Sequence, residues 1–264
     1  YMKPHKILIK RKKSFELNYQ KNKFVLFIDE NKKLDSGVPL HRDIKDMIKK
    51  FINKKVFKDL PINKSVYLDN PLTLDPDFIL IIKVKNCVDD KDLYEFGKII
   101  SKFKERKTLS IIWTVSKALD LTARTIQLRS YVFNRLKFEN NKTNKSSETI
   151  FFVDEKYKSS KIDLLINDAL AEGVFLCRDL INLPANILNI KKFENELKSL
   201  KKIGVKVTVL NEKEIEAIGM NLLIAVGKGS NSPSKVVVLE WKGGKSDAKP
   251  TALIGKGVVF DSGG

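Results

Sequence analysis

Near the end of the chain, Lys256, Asp261 and Ser262 stand among Gly255, Gly257, Gly263 and Gly264. An amine and a carboxylate so placed can make a strand-end ion pair, or can serve together as donors in a site. Ser262 lacks the Gly-x-Ser-x-Gly frame that lifts a serine nucleophile onto a strand-to-helix elbow, so it is not assigned that role. Val226-Gly227-Lys228-Gly229-Ser230 invites a phosphate-loop reading and fails it, because Lys228 is followed by glycine and Leu222 stands where the motif needs its first glycine. The two histidines, His5 and His41, lie in polar surroundings in the first half and read as surface residues. A histidine-rich zinc site or a Ser-His-Asp triad is therefore unsupported.

The elements that must hold Lys256 and Asp261 are short. Ala252 to Ile254 and Val258 to Phe260 are apolar runs that fit the interior of a parallel sheet, predicting a buried strand that runs into a site. Ligands bind beyond the carboxyl ends of strands in open α/β sheets. A straight strand would set the two Cα atoms roughly 16 Å apart on opposite faces. A helix would splay the side chains by about 140°. If they meet, the backbone between them bends, and the glycines on both sides of Lys256 permit it.

At these residues a resemblance emerges. GKGVVFDSGG, from Gly255 to Gly264, resembles the signature of the leucyl (cytosol) aminopeptidase family. RDLINLPANIL, from Arg178 to Leu188, resembles that family's Asn-x-Pro-Ala-Asn segment. LLIAVGKGSNSPSKVVVLEWKG, from Leu222 to Gly243, resembles the run preceding its metal site. The stretches occur in the family's order and cover about residues 160 to 264; the first half matches only in general character.

The resemblance implies a metal-dependent aminopeptidase with two divalent ions, zinc or manganese, acting on peptide substrates as a cytoplasmic homo-hexamer. Lys256 matches the family's lysine ligand, and Asp261 matches the aspartate that bridges both metals. A lysine ligates only as the neutral amine, against a usual pKa of about 10.4. A neighbouring dication and burial both favour that form. Two cations holding a water would lower its pKa for attack on a scissile carbonyl, and one of them could take the substrate's free amine. The family's catalytic lysine, its catalytic arginine and its further Asp and Glu ligands lie beyond Gly264, three residues after Asp261. No catalytic residue is thus expected within this chain, which is expected to be inactive alone, with exposed sheet edges and poor solubility. Asn182 and Asn186, around Pro184, read as residues that hydrogen-bond a loop in support of the site, and they are not assigned as catalytic.

Composition narrows the remaining classes. The formal net charge is +18, yet only seven of the 50 basic residues are Arg, and the lysines are spread along the chain. Specific nucleic-acid recognition favours Arg for bidentate contacts, so such binding is not the expected role. It stays as the alternative, beside an inactive fragment that associates with a hexamer. No stretch reaches 18 consecutive apolar residues, so no transmembrane helix is predicted. The N-terminus lacks a signal-peptide core and begins with Tyr1, which suggests that it is not the natural start. Cys87 and Cys177 are far apart and read as buried, reduced thiols.

Along the chain, strands are expected at Lys6 to Ile9, Lys23 to Ile28, Ser65 to Leu68, Phe78 to Val84 and Leu109 to Val115. Helices are expected at Arg42 to Lys54, Asp90 to Lys107 and Ser116 to Phe138. Asn70 to Pro76 reads as a loop, and the polar run Asn140 to Thr149 as a linker, followed by a strand at Ile150 to Val153. A helix from Lys161 to Ile181, capped by Ser159 or Ser160, ends before Pro184. Asn186 or Asn189 starts another helix through Leu200, and strands follow at Val205 to Leu210 and Lys235 to Trp241. Asn211 with Glu214 resembles a capping box, and Gly219 suits a helix C-terminus. Gly243 to Pro250 reads as a hairpin-like connection into the last strand. The predicted fold class is α/β with a mixed, largely parallel sheet. An N-terminal α/β domain spans 1–158, and the beginning of a catalytic domain spans 159–264, with the linking helix at about 160–181.

Overall fold

The structure is a computed structural model. It describes residues 6–11, 23–29, 31, 40, 42–69, 78–103, 108–115, 119–133, 135–136, 148–153, 161–245 and 249–260. Asp261, Ser262, His5, His41, the Asn70 to Pro76 loop, most of the Asn140 to Thr149 run and the capping serines 159 and 160 lie outside the described residues. The chain divides into two compact units, Tyr1–Cys177 and Arg178–Gly264.

The first unit is built on six strands: β1 (Lys6–Arg11), β2 (Lys23–Asp29), β3 (Ser65–Asp69), β4 (Phe78–Val84), β5 (Leu109–Ile112) and β6 (Glu148–Val153). Their order is β1-β6-β5-β2-β4-β3, parallel throughout except for β3 against β4. This is the expected α/β class with a largely parallel sheet. Central strands of such a sheet are covered on both faces and so read as continuous apolar runs. In β4, FILIIKV, only Lys83 is not buried.

The period of two sorts these side chains between two cores. Val25, Phe27, Leu80, Ile82 and Ile111 face α3 (Asp90–Ser101) and α4 (Asp120–Leu128), where Leu93, Phe96, Ile100, Ala123 and Ile126 complete one cluster. Phe24, Leu26, Ile28, Ile79 and Ile81 face the opposite way. They pack with Ile44, Ile48 and Ile52 of α1 (Arg42–Ile52) and with Phe57 of α2 (Lys55–Lys58). Helix α3 crosses α4 at Gly97, where a Cβ would lie 2.5 Å from the Thr125 Cβ. Only a residue without a side chain allows that approach.

Several expectations change. Of the helix expected from Ser116 to Phe138, the described residues form α4 alone. After Leu128 the Ser130 hydroxyl donates to the Gln127 carbonyl at 2.6 Å, competing with the helix ladder, and Val132 and Leu136 are exposed instead of continuing a buried stripe. The strands on either side of the Asn140 to Thr149 run belong to one sheet, and its last residues, Glu148 and Thr149, are already in β6. Both cysteines are free and exposed, not buried. Cys87 sits in the turn between β4 and α3. Cys177 lies off the stripe formed by Asn167, Ala171, Phe175 and Asp179, the buried positions among the described side chains of α5 (Lys161–Asn182).

The second unit has a smaller frame. After α5, the amides of Ile187 and Leu188 donate to the Pro184 carbonyl and close a turn. Asn189, not Asn186, caps α6 (Ile190–Ser199) by accepting from the Lys192 amide at 2.9 Å. A 3-10 turn at Leu200–Ile203 ends on Gly204 at φ 89°, under the Trp241 ring. Strand β7 (Lys206–Leu210) pairs antiparallel with β8 (Val236–Glu240). Between them lie α7 (Glu212–Ala217), with the Asn211/Glu214 capping box formed, and α8 (Asn221–Gly227). Gly219, at φ 79°, follows α7 as expected.

Candidate active-site segment

Lys256 lies in the stretch 249–260, which forms no regular strand or helix. The expected buried strand is not there: Leu253 is 94% and Ile254 100% exposed. An apolar run becomes a strand only when another strand satisfies its amides and carbonyls. Among the described residues no backbone hydrogen bond reaches 251–260. The backbone bends at Val259, between Lys256 and Asp261, so a straight strand through this region is not formed.

The two glycines around Lys256 differ. Gly255 faces open space, whereas a Cβ on Gly257 would sit 2.9 Å from the Phe193 Cε1. Phe193 belongs to α6, and its amide donates to the carbonyl of the capping Asn189. The cap thus sets the ring against which the chain passes one residue after Lys256. Lys256 itself is exposed, and Asp261 lies outside the described residues. Among the described residues no group of three or more His, Cys, Asp or Glu could hold a metal ion. These residues alone therefore do not fit a two-metal centre, and no chemical step is derived through one.

The strongest electrostatic cluster lies in the first unit, where the sequence drew no attention. Asp89 accepts from the Asp92 amide at 3.0 Å, and the Asp92 carboxylate accepts from the Asp89 amide at 2.7 Å, capping α3 reciprocally. Lys85 lies 2.9 Å from both carboxylates. Its hydrogen bonds to Asp89 and Asp92 raise its pKa from 10.5 to about 12. The hydrogen bond from Lys85, followed by the Asp92 amide, holds Asp89 down at about 2. Burial pushes the Asp92 carboxyl up, but the Asp89 amide, Lys85 and the Asn63 amide outweigh it and leave it below its usual value. An Asp three residues before an Asp, ahead of an apolar helical stripe, was the available signal. The arrangement caps a helix and orders the turn at Asn63, which has φ 58°.

An open groove of about 750 Å³ runs between α1 and β3, with Asp46, Met47, Lys50, Phe51 and Tyr67 among its walls. Asp46 lies within 4 Å of Arg42 and Lys49, so its charge is locally compensated.

These features define an α/β protein whose first unit is a layered, largely parallel sheet and whose second unit carries a lysine-bearing, glycine-rich segment. Residues 175–264 match the model of the cytosol aminopeptidase family, catalytic domain. A probable cytosol aminopeptidase of Dinoroseobacter shibae is 34% identical over 227 residues, covering 85% of this chain and 45% of the relative. One from Chelativorans is 41% identical over 182 residues, covering 64% of this chain and 36% of the relative. Among solved structures, a tomato leucine aminopeptidase mutant superimposes with a TM-score of 0.67 at 16% identity, over 90% of this chain and 50% of that one. The bottromycin maturation enzyme BotP in complex with Mn gives 0.53 at 15% identity, over 83% and 44%. At such identities the solved structures speak for the fold. The chain belongs to the cytosol aminopeptidase family. It spans about half the length of the curated relatives named here. No helix among the described residues is long and apolar enough to cross a membrane.

Proposed function

We propose that this chain is the first half of a metal-dependent aminopeptidase that releases N-terminal residues, with a leucine-type preference, from peptides. The observation that carries this is the match of residues 175–264 to the family's catalytic domain, a span that includes Lys256 and Asp261. In this reading both residues are ligands to a pair of divalent ions, manganese or zinc, and the remaining ligands come from the part of the relatives that this chain does not cover. BotP, a fold neighbour, was solved with manganese, which is in keeping with such a centre. When bound, the ions would supply an acidified water and a polarised carbonyl. Lys256 is exposed in this structure, and in this reading it joins the remaining ligands in a shared site. The chain alone is therefore inactive in this proposal, and the active form is a cytoplasmic assembly, a hexamer by family resemblance.

The test joins this chain in frame to the uncovered half of the Dinoroseobacter shibae relative. The fusion is expected to release leucine from a leucyl peptide in the presence of manganese or zinc, while the unfused chain does not. Lys256→Met and Asp261→Asn in the fusion should each lower the rate by more than about a hundredfold, beyond the loss expected for an outer-shell group. A folded fusion that binds manganese and hydrolyses nothing would sink the proposal.

A further inference from the structure

We propose that the groove between α1 and β3 binds an extended, acidic and apolar peptide segment of another protein, which adds as a further strand to the open edge of the six-stranded sheet. This rests on the first unit alone and does not depend on the activity proposed above.

The edge comes first. Strand β3 ends the strand order, with β4 as its one neighbour among the described residues. Just before it, the Asn63 amide donates to the Lys83 carbonyl at 2.9 Å, and the Lys83 amide donates to the Lys64 carbonyl at 3.0 Å. Two residues thus oppose one, as in a bulge whose first residue is left-handed, and Asn63 has φ 58°. These bonds fix the phase of the ladder, because hydrogen-bonded pairs alternate along an antiparallel pair. In the observed register Val66 and Leu68 bond to Ile81 and Ile79, so the amides and carbonyls of Ser65, Tyr67 and Asp69 turn outward. Among the described residues those outward groups have no backbone partner. Such a row is a template for an added strand.

The groove lies beside that edge and holds about 750 Å³. Val66 and Leu68 face the α1 side of the sheet, where Met47 and Phe51 of α1 are only partly buried. On the other face the Tyr67 ring stacks on Phe78 at 5.6 Å and stays 56% exposed. Side chains of an added strand alternate between these faces, so one set enters the groove and the other lies on Tyr67. A second copy of β3 suits the groove less well. Its groove-facing side chains would be Val66 and Leu68, which already pack under its own α1.

Charge selects the segment. Of the acids lining the groove, Asp46 is answered by Arg42 and Lys49, and Asp43 has an interaction of its own. The Lys50 and Lys54 ammonium groups make no ion pair or hydrogen bond among the described residues, and Asp69 is the one lining carboxylate in the same state. Two free cations against one free anion, on a chain of formal net charge +18, favour an acidic side chain at a position that enters the groove.

The experiment titrates the full 264-residue chain into the fluorescein-labelled, N-acetylated peptide Ser-Leu-Val-Glu-Val-Leu-Ser and follows fluorescence anisotropy. As a strand this peptide puts its leucines and glutamate on one face and its valines on the other. Saturable binding is expected, and lysine in place of the glutamate should weaken it at least about tenfold. Lys50→Glu combined with Lys54→Glu should weaken it as much. Lys201→Glu combined with Lys213→Glu, an equal charge change in the second unit, should keep it within about twofold. Tyr67→Pro removes an outward amide that makes no bond to β4, and should weaken binding at least about tenfold beyond Tyr67→Ala, which removes the ring alone. An added strand turns one alternate set of its amides toward β3, so N-methylating either the valines or the leucines should abolish binding and methylating the other set should spare it. Unchanged hydrogen exchange in β2 and β4 verifies that each variant is folded. Absence of saturable binding overturns the proposal, as do equal losses from the two charge reversals or equal affinities of the two methylated peptides. A dimer of the chain that Tyr67→Pro dissolves also overturns it, since the occupant of the edge would then be a second copy.

Discussion

Strands β4 and β8 are both apolar runs, FILIIKV and VVVLE, and their fates differ. In β4 every residue but Lys83 is buried, because β2 and β3 flank it and helices cover both faces. In β8 Val238 and Leu239, which point to opposite faces, are 42% and 44% exposed. The first unit closes its core on both sides of one sheet. In the stretch 189–260 the buried hydrophobic residues are Val207 and Ile215. Local structure in the second unit is nevertheless well specified: Asn189 and Asn211 cap their helices, and Gly204 and Gly219 take their left-handed turns. The difference teaches that correct caps and turns fix local geometry, whereas burial depends on how many layers surround a strand.

The comparison can be broken most directly by truncating core residues. Phe96→Ala, at a fully buried site, is expected to destabilise the chain by about 3–5 kcal/mol, and Leu253→Ala by less than about 0.5 kcal/mol. Urea unfolding monitored by fluorescence checks both, and equal losses would erase the distinction between the units. Gly97→Ala comes next, at about 1–3 kcal/mol, because its methyl group would collide with Thr125 and push α3 off α4. The same change at Gly255, which faces open space, should be far milder.

Asn211→Ala removes the cap of α7 and should cost about 1 kcal/mol locally. Hydrogen exchange would show faster opening of Glu212–Ala217 with β2 and β4 unaffected, and protection lost in both places would mean that the two units unfold as one. The smallest effect concerns pH. Asp89 is depressed to about 2, so its contribution is present above the unfolded carboxylate pKa and is lost as pH falls through about 4 toward 2. Lys85 is raised to about 12, so its contribution is present below 10.5 and is lost as pH climbs toward 12. Lys85→Met should flatten both limbs of the stability profile of the first unit and leave α7 exchange untouched.

Much of the fold was legible because the first unit's strands are buried on both faces. The run Phe78 to Val84 and the apolar positions of α1 and α3 announced themselves through continuity and helical spacing. The end of α4 was not legible, since Val132 and Leu136 continue a helical period and only the Ser130 hydroxyl bond to Gln127 shows where the ladder stops. The exposed thiols were missed for a related reason. Cysteine favours burial on average, but a turn after β4 and the outer side of α5 offer none.

By itself the sequence determined the apolar stripes of α1 and α3, the asparagine capping box of α7, the buried run of β4, and the glycine-rich segment around Lys256 that carries the family signature. These follow from chain-local chemistry: periodicity, hydrogen-bonding side chains and backbone freedom. Only the tertiary structure decided which apolar runs become strands. Ala252 to Ile254 and Phe78 to Val84 look alike as text, yet one stands in water and the other at the centre of a sheet. A strand needs partners for its amides and cover for its side chains, and both must come from elsewhere in the fold.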